Sequence, residues 1–309
     1  MRILITGAAG FLGRMLSARL AAEGALGGVP ISGLTLMDVV APEPVAGLPC
    51  DCVTADLATA AYAPHDVVVH LAAVVSSEAE ADLEKGLAVN LDGTRRLLDA
   101  TRGWGRAPVV LFASSVAVFS CAANEVITDA TEPKPRSSYG AQKLMGEVLV
   151  RDLSRRGVIR GRTLRFPTIA VRPGRPNKAA SSFASSILRE PLKGEAAVLP
   201  VPETTRLHLM SPAAAVEAML RALVLEQEAL EGETTITLPG LSVSVAEMLA
   251  GLEDAAPGAR ALVRAERDAG VEAIVASWPG GIAAPRAERL GFAADADFAT
   301  LLARSRAHL

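Results

Sequence analysis

The sequence predicts an α/β fold in which a doubly wound parallel sheet is followed by a smaller C-terminal lobe. Short apolar runs without polar alternation are separated by helical patterns through the first half of the chain, and three glycines join the first strand to the first helix. Such runs are typical of strands buried on both faces of a parallel sheet. The chain has 309 residues, 50% of them hydrophobic, which suffices for this sheet and a second lobe.

The first half contains six predicted strands and three predicted helices. The strands cover residues 2–6, 34–38, 50–56, 66–73, 108–114 and 160–166. The helices cover residues 11–23, 79–101 and 138–156, and leucines recur in the second of them at three- and four-residue spacing. Strands and helices that alternate in this way build a doubly wound sheet.

The pattern changes after Pro167. Residues 167–180 are rich in Pro, Arg and Gly and predict a loop. Further elements are predicted beyond that loop: a helix over 181–190, a strand and then a helix with Pro212 in its first turn, a strand over 234–240, and a strand end with a helix over 242–253. This irregular second half predicts a smaller lobe over the carboxyl edge of the sheet.

The charge and the polar composition argue against several classes of function. The net charge is −3 with a pI near 5.9, and no basic stripe occurs, which argues against nucleic acid or a membrane surface as a partner. Neither the cysteines (Cys50, Cys52 and Cys121) nor the four histidines have the spacing of metal ligands, so we expect no metal site. No apolar run approaches the about 18 residues that span a bilayer, and we expect a soluble, cytoplasmic protein.

The glycine-rich turn after the first strand predicts a phosphate-binding loop. Gly7, Gly10 and Gly13 lie between strand and helix, with Phe11 and Leu12 beginning the helix. Glycine lets the backbone approach a pyrophosphate closely, and the helix N-terminus offers free N–H groups. The spacing is GxxGxxG rather than the commoner GxGxxG, but a strand before it and a helix after it favour a dinucleotide site in a Rossmann fold.

The acid at the end of the second strand favours NAD over NADP. Asp38 lies where an acidic side chain would hydrogen-bond the adenosine ribose hydroxyls. A carboxylate there repels a 2′-phosphate, and the neighbours Val39 and Val40 offer no arginine to hold one. We therefore predict NAD as the cofactor.

Five stretches together carry a family resemblance. They are "TGAAGFLG", the Asp56–Leu57 pair, "HLAA" at 70–73, "NLDGT" at 90–94, and "SSVAVF" with "YGAQK". In this order they resemble the extended short-chain dehydrogenase/reductase family, the group that contains the nucleotide-sugar epimerases. The resemblance implies residues 1–168 as an NAD-binding Rossmann domain and residues 169–309 as mostly a substrate-binding lobe, with some elements returning to the first domain.

The resemblance implies Ser115, Tyr139 and Lys143 as the catalytic residues. Tyr139 and Lys143 are four residues apart on a predicted helix, which places them one turn apart on one face. A nearby ammonium is expected to lower the pKa of the phenol, so that Tyr139 exchanges a proton with a substrate hydroxyl. Lys143 would also hold the nicotinamide ribose, and Ser115, rather than its neighbour Ser114, would hydrogen-bond the reacting oxygen.

The same resemblance implies further contacts with the cofactor. Asn90 would hold the loop after the fifth strand or touch the cofactor from inside its helix. The other residues implied near the cofactor are Asp56 and Leu57 at the adenine, Leu71, Ala72, Ala73 and Val75 along the dinucleotide, and Phe166 and Thr168 near the nicotinamide.

Two departures from the nucleotide-sugar enzymes bear on the reaction and on the substrate. The Asp–Glu pair that dehydratases of this family place directly after the catalytic Ser or Thr is replaced here by Val116 and Ala117, so an elimination reaction lacks its acid and base. No Phe, Trp or Tyr occurs between Phe183 and Trp278 that could stack on a nucleotide base, which favours a small substrate. Stretches such as "HLAAVVSSEAEAD" and "RPGRPNKAASSFASSILREPL" look like the sugar-acid dehydrogenases of this family, those acting on D-erythronate among them. The implied reaction is oxidation of the C2 hydroxyl of a four-carbon sugar acid.

An anionic, hydroxylated substrate needs a cation and several small polar groups. The candidates for these contacts are Ser76, Ser77, Ser115, Asn177, Lys178, Ser181 and Ser182, with Arg172 and Arg206 as weaker alternatives for the carboxylate. Two other functions stay open, a nucleotide-sugar epimerase that keeps its NAD and a non-catalytic sensor of dinucleotides. The resemblance also implies a homodimer in which helices 79–101 and 138–156 form a four-helix bundle with a second copy.

Overall fold

The computed structural model describes residues 1–121, 125–174 and 180–306. Its centre is a seven-stranded sheet in which every neighbouring pair of strands is parallel. We number the strands β1 to β7 in chain order: Arg2–Thr6, Gly33–Asp38, Cys50–Thr54, Val67–His70, Val109–Ser115, Arg160–Phe166 and Thr235–Thr237. Their spatial order is β7-β6-β5-β4-β1-β2-β3, so the order reverses between β1 and β4. This arrangement confirms the predicted α/β fold class.

The burial of the strands follows their place in the sheet. The central strands β1 and β4 consist almost entirely of buried residues, whereas the edge strand β3 is mostly exposed. The predicted strand over 66–73 ends early, at His70, and Leu71 to Ala73 lie in a loop at the carboxyl edge. This difference matters because ligands of doubly wound sheets bind at that edge.

The helices of the structure are Phe11–Glu23 (α1), Ser76–Ala81 (α2), Leu83–Gly86 (α3), Thr94–Thr101 (α4), Ser138–Arg155 (α5), Ser182–Leu192 (α6), Pro212–Val224 (α7), Val245–Ala255 (α8), Ala269–Val275 (α9), Pro285–Arg289 (α10) and Phe298–Arg306 (α11). The predicted continuous helix over 79–101 is wrong. The observed helical segment begins at Ser76, is interrupted at Asp82, and has π-helical geometry over Leu87–Gly93. Asp82 has an extended backbone, and its side chain accepts a hydrogen bond from Lys85 N, so it caps a new helix.

The second half of the chain contributes to both parts of the molecule. Helix α7 packs against β5, β6 and α1, and β7 extends the main sheet beyond β6. The lobe has its own apolar core, formed largely by α6, α8 and α11. A three-stranded sheet of Thr168–Ile169, Arg206–Met210 and Leu241–Ser244 lies in this half, and its first strand falls inside the predicted loop over 167–180.

Three smaller strand pairings and three 3-10 turns complete the fold of the described part of the chain. The pairings join Ala25–Leu26 with Val29–Pro30, Ala197–Leu199 with Val263–Ala265, and Val126–Ile127 with Gly281–Ile282, and the turns are Val116–Val118, Glu228–Leu230 and Ala259–Leu262. Among the described helices, none combines the length and the apolar character that crossing a membrane requires.

Candidate active site

The glycine-rich turn has the shape of a dinucleotide cradle. Gly7 has a φ of 74°, and a Cβ there would lie 2.6 Å from Ala72 N. A Cβ at Gly13 would lie 2.4 Å from Gly7 O. No side chain caps the N-terminus of α1, and its first turn carries no acid. Its free N–H groups and close backbone packing fit the pyrophosphate of a dinucleotide.

A groove at the carboxyl edge of the sheet continues from this cradle in two directions. On one side lies a cavity of about 720 Å³. Its walls include Asp38, Asp56, Leu57, Leu71, Ala72, Ala73 and Val75, together with Gly7 and Gly10. On the other side lies a cavity of about 330 Å³, which shares Gly7, Gly10, Leu71, Ala73 and Val75 with the first. The predicted adenosine residues therefore line one end of a continuous groove.

The carboxylate of Asp38 accepts hydrogen bonds from two backbone N–H groups. Its Oδ2 accepts a hydrogen bond from Ala9 N at 3.0 Å, and its Oδ1 accepts one from Val40 N at 3.3 Å. The carboxylate thus ties the end of β2 to the glycine-rich turn, and it also lines the cavity. Its position and charge fit an NAD ribose.

The smaller cavity brings the predicted catalytic residues together. Ser115, Tyr139 and Lys143 line it, and so do Phe11, Leu12, Gly13, Phe166 and Thr168. Ser115 ends β5, while Tyr139 and Lys143 lie one turn apart near the start of α5. Ser137 caps this helix by accepting a hydrogen bond from Gly140 N at 3.2 Å, which fixes where its first turn begins.

Lys143 is a buried cation beside the phenol. It is 3% exposed, and its Nζ donates a hydrogen bond to Ala113 O at 2.8 Å. The Nζ lies 5.6 Å from the ring centroid of Tyr139. Burial lowers the pKa of Lys143 to about 8, and the carboxylate of Glu147 opposes that shift. The hydrogen bond therefore holds the ammonium in place, and its lowered pKa makes it a stronger acid than an exposed lysine.

The expected lowering of the phenol pKa by this ammonium is wrong. Burial dominates and raises the pKa of Tyr139 to about 12. Two groups act in the opposite direction, a hydrogen bond with Ser115 and the positive charge of Arg172. The balance depends on how deeply the phenol is buried, a quantity that helical spacing does not reveal.

Ser115 and Ser114 have different partners. Ser114 is buried, and its Oγ donates to Glu147 Oε1 at 2.5 Å. Ser115 Oγ accepts a hydrogen bond from Ala117 N at 3.1 Å. The side chain of Ser115 is also hydrogen-bonded to that of Tyr139. Of the two serines, it is therefore Ser115 that is hydrogen-bonded to the phenol of Tyr139.

Asn90 holds a different loop from the one predicted. Its Oδ1 accepts a hydrogen bond from Val74 N at 2.9 Å, and its Nδ2 donates to Val74 O at 3.2 Å and to Gln142 Oε1 at 2.8 Å. Val74 follows β4, so the expected contact with the loop after β5 is wrong, while the alternative contact with the cofactor stays a prediction. Asn90 thereby fixes a wall of the groove and ties it to α5.

The predicted substrate residues divide into three groups. Ser76 and Ser181 line the catalytic cavity, and Ser76 Oγ accepts a hydrogen bond from Ala180 N at 3.1 Å. Ser77 and Ser182 are not among the lining residues. Asn177 and Lys178 lie outside the described residues.

The two arginines proposed as weaker alternatives differ clearly. Arg172 lines the cavity, and its Nη2 lies 3.5 Å from Ser181 Oγ. Burial lowers its pKa to about 10, so it stays protonated at neutral pH. Arg206 is 40% exposed, is not among the residues that line the cavity, and donates to Ser242.

Trp278 also lines the catalytic cavity and was missed as a site residue. In the sequence it only marked the end of a stretch without aromatic residues. It comes from the C-terminal lobe, 139 residues after Tyr139. The short "SWPGG" segment around it carries no recognisable motif. An aromatic ring thus does reach the site, which weakens the argument for a small substrate from the missing aromatics.

Comparisons with known proteins agree with this geometry. The model of the NAD dependent epimerase/dehydratase family matches residues 3–235. A D-erythronate dehydrogenase from Cupriavidus necator is 49% identical, over 96% of this chain and 95% of that protein. One from Haemophilus influenzae is 42% identical, over 98% of each. A solved structure of a nucleoside-diphosphate-sugar epimerase from Agrobacterium tumefaciens has a TM-score of 0.91 at 42% identity, over 98% of this chain and 92% of that one. By its sequence and its fold, the chain belongs to the NAD dependent epimerase/dehydratase family.

Proposed function

We propose that the protein is an NAD-dependent dehydrogenase that oxidises the C2 hydroxyl of a small sugar acid, such as D-erythronate, to the 2-keto acid. The observation that carries the proposal is one cavity that combines Ser115, Tyr139 and Lys143 with the guanidinium of Arg172. An acid/base group and a cation for a carboxylate thus share one site. The near full-length relatives named D-erythronate dehydrogenase support the same substrate class.

The two connected cavities would hold NAD from its adenine to its nicotinamide. The glycine-rich turn would hold the pyrophosphate, Asp38 the adenosine ribose, and Asp56 with Leu57 the adenine. When bound, NAD accepts the hydride that leaves the carbinol carbon. Phe166 and Thr168 would lie beside its nicotinamide.

The chain's own residues would move the proton. Tyr139, as the phenolate, takes the proton of the substrate hydroxyl as the C–H bond breaks, which leaves a neutral phenol and a carbonyl. Ser115 Oγ holds the reacting oxygen next to the phenol. The hydrogen bond with Ser115 and the positive charge of Arg172 favour the phenolate that must form first, and Lys143 would bind the nicotinamide ribose.

Arg172 would anchor the substrate carboxylate. It is a protonated guanidinium in the cavity wall, and its side-chain contact with Ser181 is long, at 3.5 Å. A planar guanidinium binds a carboxylate through two parallel hydrogen bonds, which a lysine cannot reproduce. Arg172→Lys should therefore raise KM for the sugar acid about tenfold to a hundredfold, as measured by steady-state kinetics at saturating NAD. Arg206→Lys is the matched control and should leave KM unchanged, and an equal effect in both variants would exclude this role.

Ser115→Ala should shift the pH dependence of kcat as well as lower it. The hydrogen bond from Ser115 lowers the pKa of Tyr139. Its loss should raise that pKa, so the acidic limb of the kcat profile should move to higher pH. At neutral pH kcat should fall about a hundredfold. In Ser114→Ala the acidic limb should stay in place, because Ser114 bonds to Glu147 instead. A Ser115→Ala profile with an unmoved acidic limb would contradict this account.

The function is tested by NADH formation at 340 nm with four- to six-carbon sugar acids, including D-erythronate and L-threonate. We expect turnover with a four-carbon acid and NAD, and almost none with NADP, because Asp38 repels a 2′-phosphate. The epimerase alternative predicts tightly retained NAD and no net NADH. The sensor alternative predicts binding of NAD without turnover of any acid or nucleotide sugar. Silence across the acids, with NAD still bound, would refute the sugar-acid assignment.

A homodimer is part of the proposal. Leu83 on α3 and Met145 and Val148 on α5 are 52%, 38% and 47% exposed. Burying these apolar side chains against the same helices of a second copy would form a four-helix bundle. Light scattering should give twice the chain mass of 32.0 kDa, and Val148→Glu should shift the mass toward the monomer. A wild-type monomer at micromolar concentration would exclude the bundle.

We further propose a division of roles near residue 168, with residues 1–168 holding the dinucleotide and residues 169–309 mostly serving the substrate. Helix α7 and β7 would be the returning elements of the second part. A cytoplasmic location likewise stays a prediction.

A further inference from the structure

The backbone of Arg172 is held on both sides by side chains of α6. Its N–H donates a hydrogen bond to Ser185 Oγ at 3.0 Å, and its carbonyl oxygen accepts one from Arg189 Nη1 at 2.7 Å. Ser185 and Arg189 lie one turn apart on the same face of α6. The preceding residue, Val171, donates its N–H to Ser305 Oγ of α11 at 3.0 Å. The lobe therefore fixes the course of the chain where the guanidinium of Arg172 enters the cavity wall.

Arg189 is a buried cation that acts from outside the cavity. It is 3% exposed, and it is not among the described residues that line the cavity. Its Nη2 donates to Glu190 Oε1 at 2.5 Å, so its charge is paired. A buried guanidinium is costly unless its charge is paired and its N–H groups have acceptors. One of those N–H groups is committed to the carbonyl of Arg172, which links Arg189 to the site.

The guanidinium of Arg172 is held less tightly than its backbone. Its contact with Ser181 Oγ is long, at 3.5 Å. Because the side chain is long and adopts discrete rotamers, the direction in which it leaves the backbone decides which of them reach the cavity. A guanidinium must present two parallel N–H groups to bind a carboxylate through two hydrogen bonds. A shift of the Arg172 backbone would therefore misalign both donors, although the residue itself is unchanged.

The charge of Arg189 has a smaller part in this arrangement. Burial, with a further contribution from the positive charge of Arg189, lowers the pKa of Arg172 to about 10. An anion bound at Arg172 would relieve the repulsion between the two guanidiniums. The charge of Arg189 is, however, paired with Glu190. We therefore assign the role of Arg189 to the position of Arg172 rather than to its charge.

We propose that Arg189 is a positioning residue for the substrate carboxylate: together with Ser185 it holds the backbone of Arg172 so that the guanidinium faces the cavity in the orientation that binds a carboxylate. This inference rests on the proposed function, because it takes Arg172 as the carboxylate anchor. It places one determinant of the affinity for sugar acids on α6, outside the cavity.

A double-mutant cycle tests whether Arg189 acts through Arg172. All four proteins carry Tyr139→Phe, which prevents turnover, and three of them add Arg172→Lys, Arg189→Met or both. Calorimetry with D-erythronate at saturating NAD gives the dissociation constant. Arg172→Lys should raise it about tenfold to a hundredfold, and Arg189→Met about tenfold. In the Arg172→Lys background, Arg189→Met should weaken binding by less than about twofold, because the side chain that it positions has already been changed.

Steady-state kinetics of the enzyme with Tyr139 in place give a second readout. Arg189→Met should raise KM for D-erythronate about tenfold and leave kcat within about threefold, because no proton-transferring group is altered. Arg189→Lys keeps a cation and a donor, so its KM should lie closer to the wild-type value. Ser185→Ala removes the other backbone contact with a smaller change in volume, and KM should rise about threefold. This milder variant keeps the inference testable if Arg189→Met does not fold.

Arg162→Met is the matched control for the loss of a buried arginine. Arg162 is 1% exposed, and its Nη2 donates to a backbone carbonyl, Leu225 O, at 2.7 Å, outside the catalytic cavity. This variant should unfold at a lower temperature and keep the wild-type KM. An equal rise of KM in Arg162→Met and Arg189→Met would overturn the inference. So would wild-type KM values in both Arg189→Met and Ser185→Ala, or an Arg189→Met effect that adds in full to that of Arg172→Lys.

These outcomes leave the proposed function in place, since they concern only how Arg172 is held. A wild-type enzyme that neither turns over nor binds any sugar acid would overturn the proposed function and this inference together.

Discussion

Tyr139→Phe should lower kcat for the sugar acid about a thousandfold while the dissociation constant of NAD stays within about twofold. The substitution removes one oxygen, the group that takes the substrate proton, and leaves a ring of the same shape in the wall. Lys143 keeps its hydrogen bond to Ala113 O, so the dinucleotide side of the site is preserved. Stopped-flow or steady-state NADH formation gives kcat, and calorimetry gives the affinity for NAD.

The chain supplies a matched control for this variant. It has two tyrosines, and Tyr62 donates its hydroxyl to Leu57 O at 3.1 Å, outside the catalytic cavity. Its pKa is also raised to about 12 by burial. Tyr62→Phe should therefore keep kcat close to the wild-type value. A Tyr139→Phe enzyme with more than about a tenth of wild-type kcat would remove Tyr139 from the acid/base role.

Gly13→Ala should weaken NAD binding about a hundredfold and destabilise the fold by about 1–3 kcal/mol. The added Cβ would lie 2.4 Å from Gly7 O and 2.7 Å from Ala8 Cα. Both contacts are with backbone atoms, so the turn itself must shift, and the N–H groups that would meet the pyrophosphate shift with it. Calorimetric titration with NAD and thermal unfolding without it measure the two effects separately.

Gly103→Ala is the matched glycine control. A Cβ at Gly103 would meet Ala100 O at 3.7 Å, an ordinary contact. This variant should bind NAD like the wild type and unfold at nearly the same temperature. If Gly13→Ala retained wild-type affinity for NAD, the glycine-rich turn would not be the pyrophosphate site.

The parts of the site that depend on local sequence were predictable. The glycine-rich turn and the Tyr139–Lys143 pair are each defined by residues a few positions apart, and strand and helix geometry then fixes their arrangement. Ser115 followed from its place at the end of a buried strand and from the family resemblance. The central sheet was predictable for the same reason, since unalternating apolar runs specify buried parallel strands.

Most of what the sequence did not reveal depends on contacts between distant segments. The break at Asp82 is the exception, because it comes from a local cap on Lys85 N that interrupts an otherwise helical pattern. The pKa of Tyr139 depends on how deeply the folded protein buries the phenol. Arg172 looked like one of several loop cations until the fold placed it in the cavity. Trp278 reached the site through the packing of α9 and the lobe core, which no spacing within its own segment encodes.

The return of the chain to the main sheet has a consequence for biosynthesis. Strand β7, which pairs with β6, is at residues 235–237, and α7, which covers part of one face of the sheet, is at residues 212–224. A nascent chain that has emerged only to residue 168 would carry the glycine-rich turn and Tyr139, but β6 would be an open edge and that face would be uncovered. Edges of this kind bind chaperones or other chains. The seven-stranded sheet of this protein therefore cannot be completed until about 70 residues beyond residue 168 have left the ribosome.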